Sequence, residues 1–153
     1  MRTPWFLLLC VACGPEQPGD VPLGGKALQT WLEDGEYTGW AAEPEVHDGA
    51  GPHFGAVRVF VNPDLEASLL DGNTEHPIGS SSVKELYGSG DSVLGWAVMT
   101  KIESGTSGDT WHWYERYEDD TLIDGVGKPD CSGCHGAGID HVLTEWPGAM
   151  GSR

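Results

Sequence analysis

Basic residues are scarce in this chain of 153 residues: eight Lys and Arg stand against 24 Asp and Glu, which gives a formal net charge of −16. A chain this acidic repels the phosphates of nucleic acids and of anionic lipids, so we expect it to bind no nucleic acid. The acid-rich segment Glu115–Asp124 is interpreted as a loop, where such charge is typical of a solvated surface. The balance favours cationic or neutral partners.

Long apolar runs are also lacking, and none approaches the roughly 20 residues that a membrane-spanning helix needs. The run Trp5–Ala12, preceded by Arg2, is instead typical of a short bacterial export leader. Its end, Cys10-Val11-Ala12-Cys13, resembles a lipoprotein cleavage box. It predicts a signal peptide over 1–13 and a lipid on Cys13. Ordinary secretion with cleavage nearby is the alternative.

The segment after the leader, residues 14–25, is rich in Pro and Gly and predicts a tether without helix or sheet. The folded domain is therefore expected over 26–153. A lipid on the leader's last cysteine would hold the protein to the membrane without a span. We expect it in the bacterial periplasm or cell envelope, in contact with the membrane only through that N-terminal lipid.

Cysteine is rare too, with four in the chain. Cys10 leaves with the leader and Cys13 takes the lipid, so only Cys131 and Cys134 remain in the folded domain. Two cysteines at this spacing do not make the disulfide framework of a small secreted domain. The pair is therefore expected to have another role.

The hydrophobic pattern predicts mainly strands. Runs rich in β-branched and aromatic residues and bounded by turn signals predict four of them: Phe54–Val61, Ser81–Tyr87, Ser92–Ile102 and Thr110–Tyr117. Two short helices are predicted at Lys26–Leu32 and Asp64–Leu70. The expected fold is α+β with β dominant, a small antiparallel sheet with short helices.

The motif that carries chemistry is Cys131-Ser132-Gly133-Cys134-His135, near the C-terminus. It is the attachment signature of a c-type haem. Within one turn of helix two thiols reach the vinyl groups of a single porphyrin, and the next residue presents an imidazole to the iron. We therefore expect one haem c per chain, bound by Cys131 and Cys134, with His135 as the iron ligand. A thiol redox pair, or a zinc site completed by His141, is the alternative.

The second axial position decides between electron transfer and ligand chemistry. No candidate ligand stands out from its ordinary role in the core or in a loop, and an open or water-occupied position is favoured. The candidates are Met99, Met150, His47, His53, His76, His112 and His141.

Further segments, in order along the chain, carry a resemblance to a known family over residues 37–146. They are Tyr37-Thr38-Gly39-Trp40, Val57-Arg58-Val59-Phe60-Val61 with Asn62-Pro63, Gly79 with Val83-Lys84-Glu85-Leu86, Ala97–Lys101, Trp111-His112-Trp113-Tyr114, the haem motif, and Asp140-His141-Val142-Leu143-Thr144. This set resembles the cytochrome P-460 family, which includes the cytochrome c′-beta proteins. The haem motif alone would not indicate a family.

The resemblance implies an antiparallel β domain that forms a homodimer, with a five-coordinate haem iron. Family enzymes oxidise hydroxylamine, and the cytochrome c′-beta relatives bind nitric oxide. Lys84 matches the lysine that the enzymes link to the haem ring. The enzymes also place a carboxylate over the distal face, from the strand that matches Val93–Lys101, but this strand has no acid and Ala97 stands at the matching position.

We therefore expect an exported monohaem cytochrome with an open iron site for a small nitrogen ligand such as nitric oxide. Phe60, Ala97, Met99 and Trp113 are expected to line its pocket. The alternatives are a hydroxylamine-oxidising enzyme and a periplasmic electron-transfer cytochrome. The expected partners are the small nitrogen ligand, nitric oxide or hydroxylamine, and a redox partner protein. A sheet-based interaction module without haem is a further alternative.

Overall fold

The computed structural model describes residues 21–53, 55–88, 91–144 and Trp146. Over these ranges the chain forms a seven-stranded antiparallel sheet with short helices, which confirms the predicted β-dominant α+β class. The strands are β1 Ala41–Ala42, β2 His47–Asp48, β3 Ala56–Val61, β4 Ser81–Tyr87, β5 Val93–Lys101, β6 Trp111–Tyr117 and β7 Asp120–Val126. The helices are α1 Gly25–Glu33, α2 Pro63–Leu70 and α3 Pro129–His135, with a 3₁₀ turn at Gly108–Thr110.

The sheet is a meander from β3 to β7, in which each strand pairs with the next along the chain. The two short strands β1 and β2 both pair with β3 and complete that edge. None of the described helices has the length and apolar composition to cross a lipid bilayer. The predicted signal peptide 1–13, with Cys13, and the candidate Met150 lie outside the described residues.

The four predicted strands and two predicted helices are confirmed to within one or two residues at their ends. The start of helix α2 is predictable from its sequence because two residues there favour the start of a helix. The side-chain oxygen of Asn62 accepts a hydrogen bond from the backbone N–H of Leu65 at 3.0 Å, and Pro63 occupies the first helical position. Both are established ways to begin a helix.

The interpretation of Glu115–Asp124 as a loop is wrong. Glu115 lies within β6, and Asp120 begins β7, which pairs with β6 along its length. Strand β7 is the sheet edge and is largely exposed. Charged residues are common on edge strands because they oppose pairing with other chains, and they hide the alternation that marks a strand.

The expected tether also ends differently. Gly25 is already the first residue of α1, and its backbone N–H donates to the carboxylate of Asp124 at 2.7 Å. Val21 packs against buried residues of the domain. The described end of the 14–25 segment is therefore attached to the sheet.

Two hydrophobic cores lie on opposite faces of the sheet, because successive strand residues alternate between faces. The first core consists of Val59, Val61, Leu65, Met99, Trp111, Trp113, Val142 and Trp146. The second core consists of Leu28, Leu32, Tyr37, Phe60, Val83, Val98 and Tyr114. Helix α1 covers the second face with Leu28 and Leu32, and burying each side chain contributes about 1.5–3 kcal/mol. The first face packs against Leu65 of α2 and Cys131 of α3.

Candidate functional site

Helix α3 carries the two cysteines and the histidine of the haem motif. It begins with Pro129 at its first turn and ends at His135. Cys134 and His135 lie three and four residues after Cys131, so all three side chains share one helix face. Cys131 packs against the first core. The thiols of Cys131 and Cys134 are free.

That helix face closes a cavity of about 570 Å³ against the first face of the sheet. The volume lies within the range of about 300–1,000 Å³ that is usual for small-molecule and cofactor sites. The wall formed by β3 to β7 is mostly apolar, with two charged side chains, and Glu43, Asp48 and Asp130 line the cavity from other sides. Its inward residues are Val57, Val59, Lys84, Ala97, Met99, Trp113, Glu115 and Ile123.

His135 is held by a hydrogen bond between its Nδ1 and the backbone carbonyl oxygen of His141, at 2.9 Å. Because the carbonyl can only accept, Nδ1 carries the proton and Nε2 keeps its lone pair. Burial lowers the pKa of His135, although this hydrogen bond opposes the effect. The indole ring of Trp113 lies edge-on, with its centroid 5.0 Å from the imidazole centroid. The result is a neutral, oriented imidazole, which is the form that binds metals.

Lys84 lies on β4, where it pairs with Ala97 of β5. Its side chain lines the same cavity as the three motif residues. Burial lowers the pKa of Lys84, and the carboxylates of Glu43 and Glu115 oppose that shift. The structure therefore brings the predicted haem-edge residue into the cavity that the motif closes.

Glu115 is the cavity residue that sequence reasoning missed. On β6 it pairs directly with Ala97 of β5, the position where the expected carboxylate is absent. Its Oε1 lies 3.6 Å from Nδ1 of His53. A signal for it existed, because the alternation that places Trp111 and Trp113 on one face of β6 places Glu115 there as well.

Of the four predicted lining residues, Ala97, Met99 and Trp113 do line the cavity. Phe60 does not, and that expectation is wrong. It belongs to the second core, where its ring lies 5.0 Å from that of Tyr37. The neighbours of Phe60 on β3 face the first core, so strand alternation turns Phe60 to the opposite side.

The candidates for the second axial ligand differ in whether they line the cavity. His47, His53 and Met99 line the cavity, and the ring centroid of His53 lies 6.4 Å from that of His135. His112 does not line it: its Nε2 lies 3.2 Å from the carboxylate of Asp124 on β7.

Two further candidates, His76 and His141, do not line the cavity. His76 is buried against Trp111 and hydrogen-bonded to the hydroxyl of Ser68 at 2.8 Å. His141 has its carbonyl oxygen bonded to His135 and its ring 6.1 Å from that of Trp113.

The environment of the cysteines bears on the two alternatives to haem attachment, a thiol redox pair and a zinc site. Burial raises the pKa of the Cys131 thiol to about 11, with nearby carboxylates adding to the shift. Activated redox cysteines have a lowered pKa instead. Within the described ranges no group of three or more His, Cys, Asp or Glu side chains converges on a metal position.

No family model matches the chain. A methionine–tRNA ligase of Flavobacterium psychrophilum is 27% identical to it over 105 residues. The match covers 66% of this chain and 14% of the ligase. The chain therefore spans about a seventh of that relative, and the match carries no activity over to it. The cytochrome P-460 resemblance stays a prediction.

Proposed function

We propose that this chain is an exported monohaem c-type cytochrome with an open iron position that binds a small nitrogen ligand such as nitric oxide. The observation that carries the proposal is the meeting of Cys131, Cys134 and His135 on the wall of one cavity, opposite a largely apolar sheet face. Sequence spacing accounts for the three motif residues alone. The facing cavity is an independent feature of the fold.

The residues present fit a haem. Cys131 and Cys134 would hold it through thioether bonds, and His135 would bind its iron through Nε2, since Nδ1 is committed to the His141 carbonyl. When bound, the haem supplies an iron that takes small diatomic ligands and exchanges electrons. A covalently bound cofactor also suits a domain in which α3 is short and has no buried residue.

The residues that line the cavity would determine which ligand reaches the open iron position. The Ala97 methyl group and the side chains of Met99 and Trp113 exclude water and offer a neutral gas an apolar surface. None of the three can ionise, and an apolar site disfavours a charged ligand because desolvation of the ion is costly. This composition favours nitric oxide as the ligand.

A second candidate function, hydroxylamine oxidation, rests on Glu115. The resemblance to cytochrome P-460 calls for a carboxylate at the cavity, and Glu115 supplies one beside Ala97 from the neighbouring strand. Its carboxylate would accept a proton from bound hydroxylamine, and Nδ1 of His53 lies 3.6 Å from it. Lys84 would lie at the edge of the haem in either function.

The other parts of the proposal concern the assembled protein. A lipid on Cys13 would anchor it to the membrane on the periplasmic side, and two copies would pair as a homodimer. The electron-transfer alternative needs a second side chain on the iron, for which His47, His53 and Met99 are the cavity residues available. A redox partner protein belongs to this alternative and to the hydroxylamine enzyme.

The test is an optical titration of the purified holoprotein with nitric oxide, in the ferric and ferrous states. We expect a high-spin spectrum before addition and one nitric oxide bound per haem. A low-spin, six-coordinate spectrum without added ligand would contradict the open position. A red-shifted, broadened spectrum together with hydroxylamine-dependent reduction of a dye would favour the enzyme instead.

A further inference from the structure

A buried ion pair lies beside the haem motif, between β5 and the loop that follows α3. Nζ of Lys101 and Oδ2 of Asp140 are 2.7 Å apart, and both side chains are fully inaccessible to solvent. The carboxylate of Asp140 also accepts from the indole N–H of Trp111 at 3.2 Å and from the backbone N–H of His76 at 2.8 Å. Asp140 is therefore fixed by three separate segments of the chain.

The ammonium group of Lys101 is equally committed. Besides the carboxylate, it donates to the hydroxyl of Thr110 at 2.9 Å and to the backbone carbonyl of Gly105. All three of its protons have acceptors. Such a pair is weak evidence for stability, because apolar residues of similar size often stabilise a protein as well or better. A role in fixing the local backbone geometry would explain why the ammonium group and the carboxylate of this pair make so many hydrogen bonds.

The residue after Asp140 supplies the connection to the site. His141 offers its carbonyl oxygen to Nδ1 of His135 at 2.9 Å. Asp140 and His141 have φ angles of +44° and +67°, in the left-handed region that few residues with a Cβ adopt, although Asp and His do so more often than most. The turn is closed by its own backbone hydrogen bond, from the N–H of Val142 to the carbonyl oxygen of Ile139 at 2.9 Å. The bonds to the Asp140 carboxylate attach this turn to β5, β6 and the loop before β4, and so set the direction of the His141 carbonyl relative to the sheet.

We propose that Lys101 and Asp140 are positioning residues that orient His135 through the His141 carbonyl and so tune it as an iron ligand. The inference rests on the proposed haem ligation by His135. A carbonyl aligned with Nδ1–H makes the imidazole more basic and fixes its tautomer, and loss of such outer partners typically costs about 10- to 100-fold in metal affinity or activity. The pair touches no substrate.

The test compares Asp140→Asn with the parent as haem-loaded holoproteins. We expect the iron–histidine stretching band in resonance Raman spectra to move to lower frequency, the reduction potential to rise, and the nitric oxide dissociation rate to change about tenfold or more. A charge-neutral double variant, Lys101→Met with Asp140→Leu, supplies the same measurements if the single variant fails to fold. The matched control is Glu33→Gln, which breaks an ion pair with Arg116 that joins α1 to β6.

A merely structural pair gives a different pattern. Folded, haem-loaded variants would then lose thermal stability while their stretching band and potential stayed at the parent values, and this result would overturn the inference. The proposed function would survive that result, since the parent protein would still carry haem. A parent protein without haem would overturn both.

Discussion

Glu115 is the single residue that decides between the two candidate functions. Its carboxylate lies in the cavity beside Ala97, with His53 at 3.6 Å. A gas-binding protein has no need of a proton acceptor at that place, whereas oxidation of hydroxylamine releases protons. General bases of this kind contribute about 10²- to 10⁴-fold to a rate.

Glu115→Gln is therefore expected to abolish any hydroxylamine-dependent dye reduction, by at least about 100-fold, while leaving haem attachment and nitric oxide uptake intact. The measurement is steady-state turnover alongside a nitric oxide titration of the same preparation. Glu103→Gln, on an exposed loop, is the control and should match the parent. Unchanged turnover in Glu115→Gln would remove Glu115 from the reaction.

His53 and Met99 decide whether the iron position is open. Both line the cavity, and neither is expected to bind the iron. His53→Ala and Met99→Leu should each keep the high-spin ferric spectrum of the parent, as read from its charge-transfer band and its electron paramagnetic resonance signal. A parent that is low-spin, and that becomes high-spin in one of the two variants, would identify the sixth ligand and favour the electron carrier.

His76 should make stability sensitive to acid. Burial lowers its pKa below the ordinary 6.5, against the opposing effect of Asp140. The unfolded chain then takes up a proton near pH 6.5 that the folded chain binds only at lower pH, so stability is complete above pH 6.5 and falls as the pH drops towards the folded pKa.

Chemical unfolding curves of the holoprotein between pH 8 and pH 5 test this effect. His76→Gln should lose about 1–3 kcal/mol at pH 8, through its hydrogen bond to Ser68, but show a weaker decline on acidification. His47→Ala is the control of opposite sign. Hydrogen bonds to the Asp48 carbonyl and to Glu43 raise the pKa of His47, so its removal should make the decline steeper. Equal slopes for His76→Gln and the parent would contradict this account.

Helix α3 and the 3₁₀ turn fit together through Gly108. A Cβ at this position would overlap the Cβ of Ser132, which lies between the two haem-motif cysteines. Only glycine therefore allows α3 to lie this close to the turn that begins β6. The cavity depends on that close approach because α3 forms one of its walls.

Gly108→Val should displace α3 and lower both the yield of haem-loaded protein and its midpoint of thermal unfolding. The matched control is Gly133→Ala, inside α3, where an added Cβ meets no atom within 4 Å. It should be tolerated and can gain about 0.5–1 kcal/mol from the better helix former. If Gly108→Val retains parental haem content and stability, the close contact has no bearing on the site.

An element is predictable from the sequence when it buries many apolar side chains or begins with a clear start signal. Strand β5 is predictable because apolar side chains fill most of its length, and α2 is predictable from its Asn62-Pro63 start. Strand β7 was missed because it is an exposed edge that buries little. The contacts of Asp140 with Lys101, Trp111 and His76 join residues far apart in the sequence, and no local pattern carries them.

For the molecule as a whole, the fold class follows from the sequence, and the cavity follows only from the register of its strands. Lys84, Ala97 and Glu115 become neighbours because β4, β5 and β6 pair in one register, and a shift of any one of these strands by one residue would turn its residue to the second core. The three haem-motif residues needed no register, since one helical turn brings them together. Sequence reasoning therefore identified one wall of the cavity and part of the other.

Every part of the proposed function requires covalent haem attachment through α3. The direct measurement is the intact mass of the mature protein, made in a bacterial host with cytochrome c maturation and compared with Cys131→Ser/Cys134→Ser. The expected result is a red protein whose polypeptide is heavier by one haem, a mass that denaturation does not remove and the double variant lacks. A colourless parent protein with the bare polypeptide mass would contradict the account.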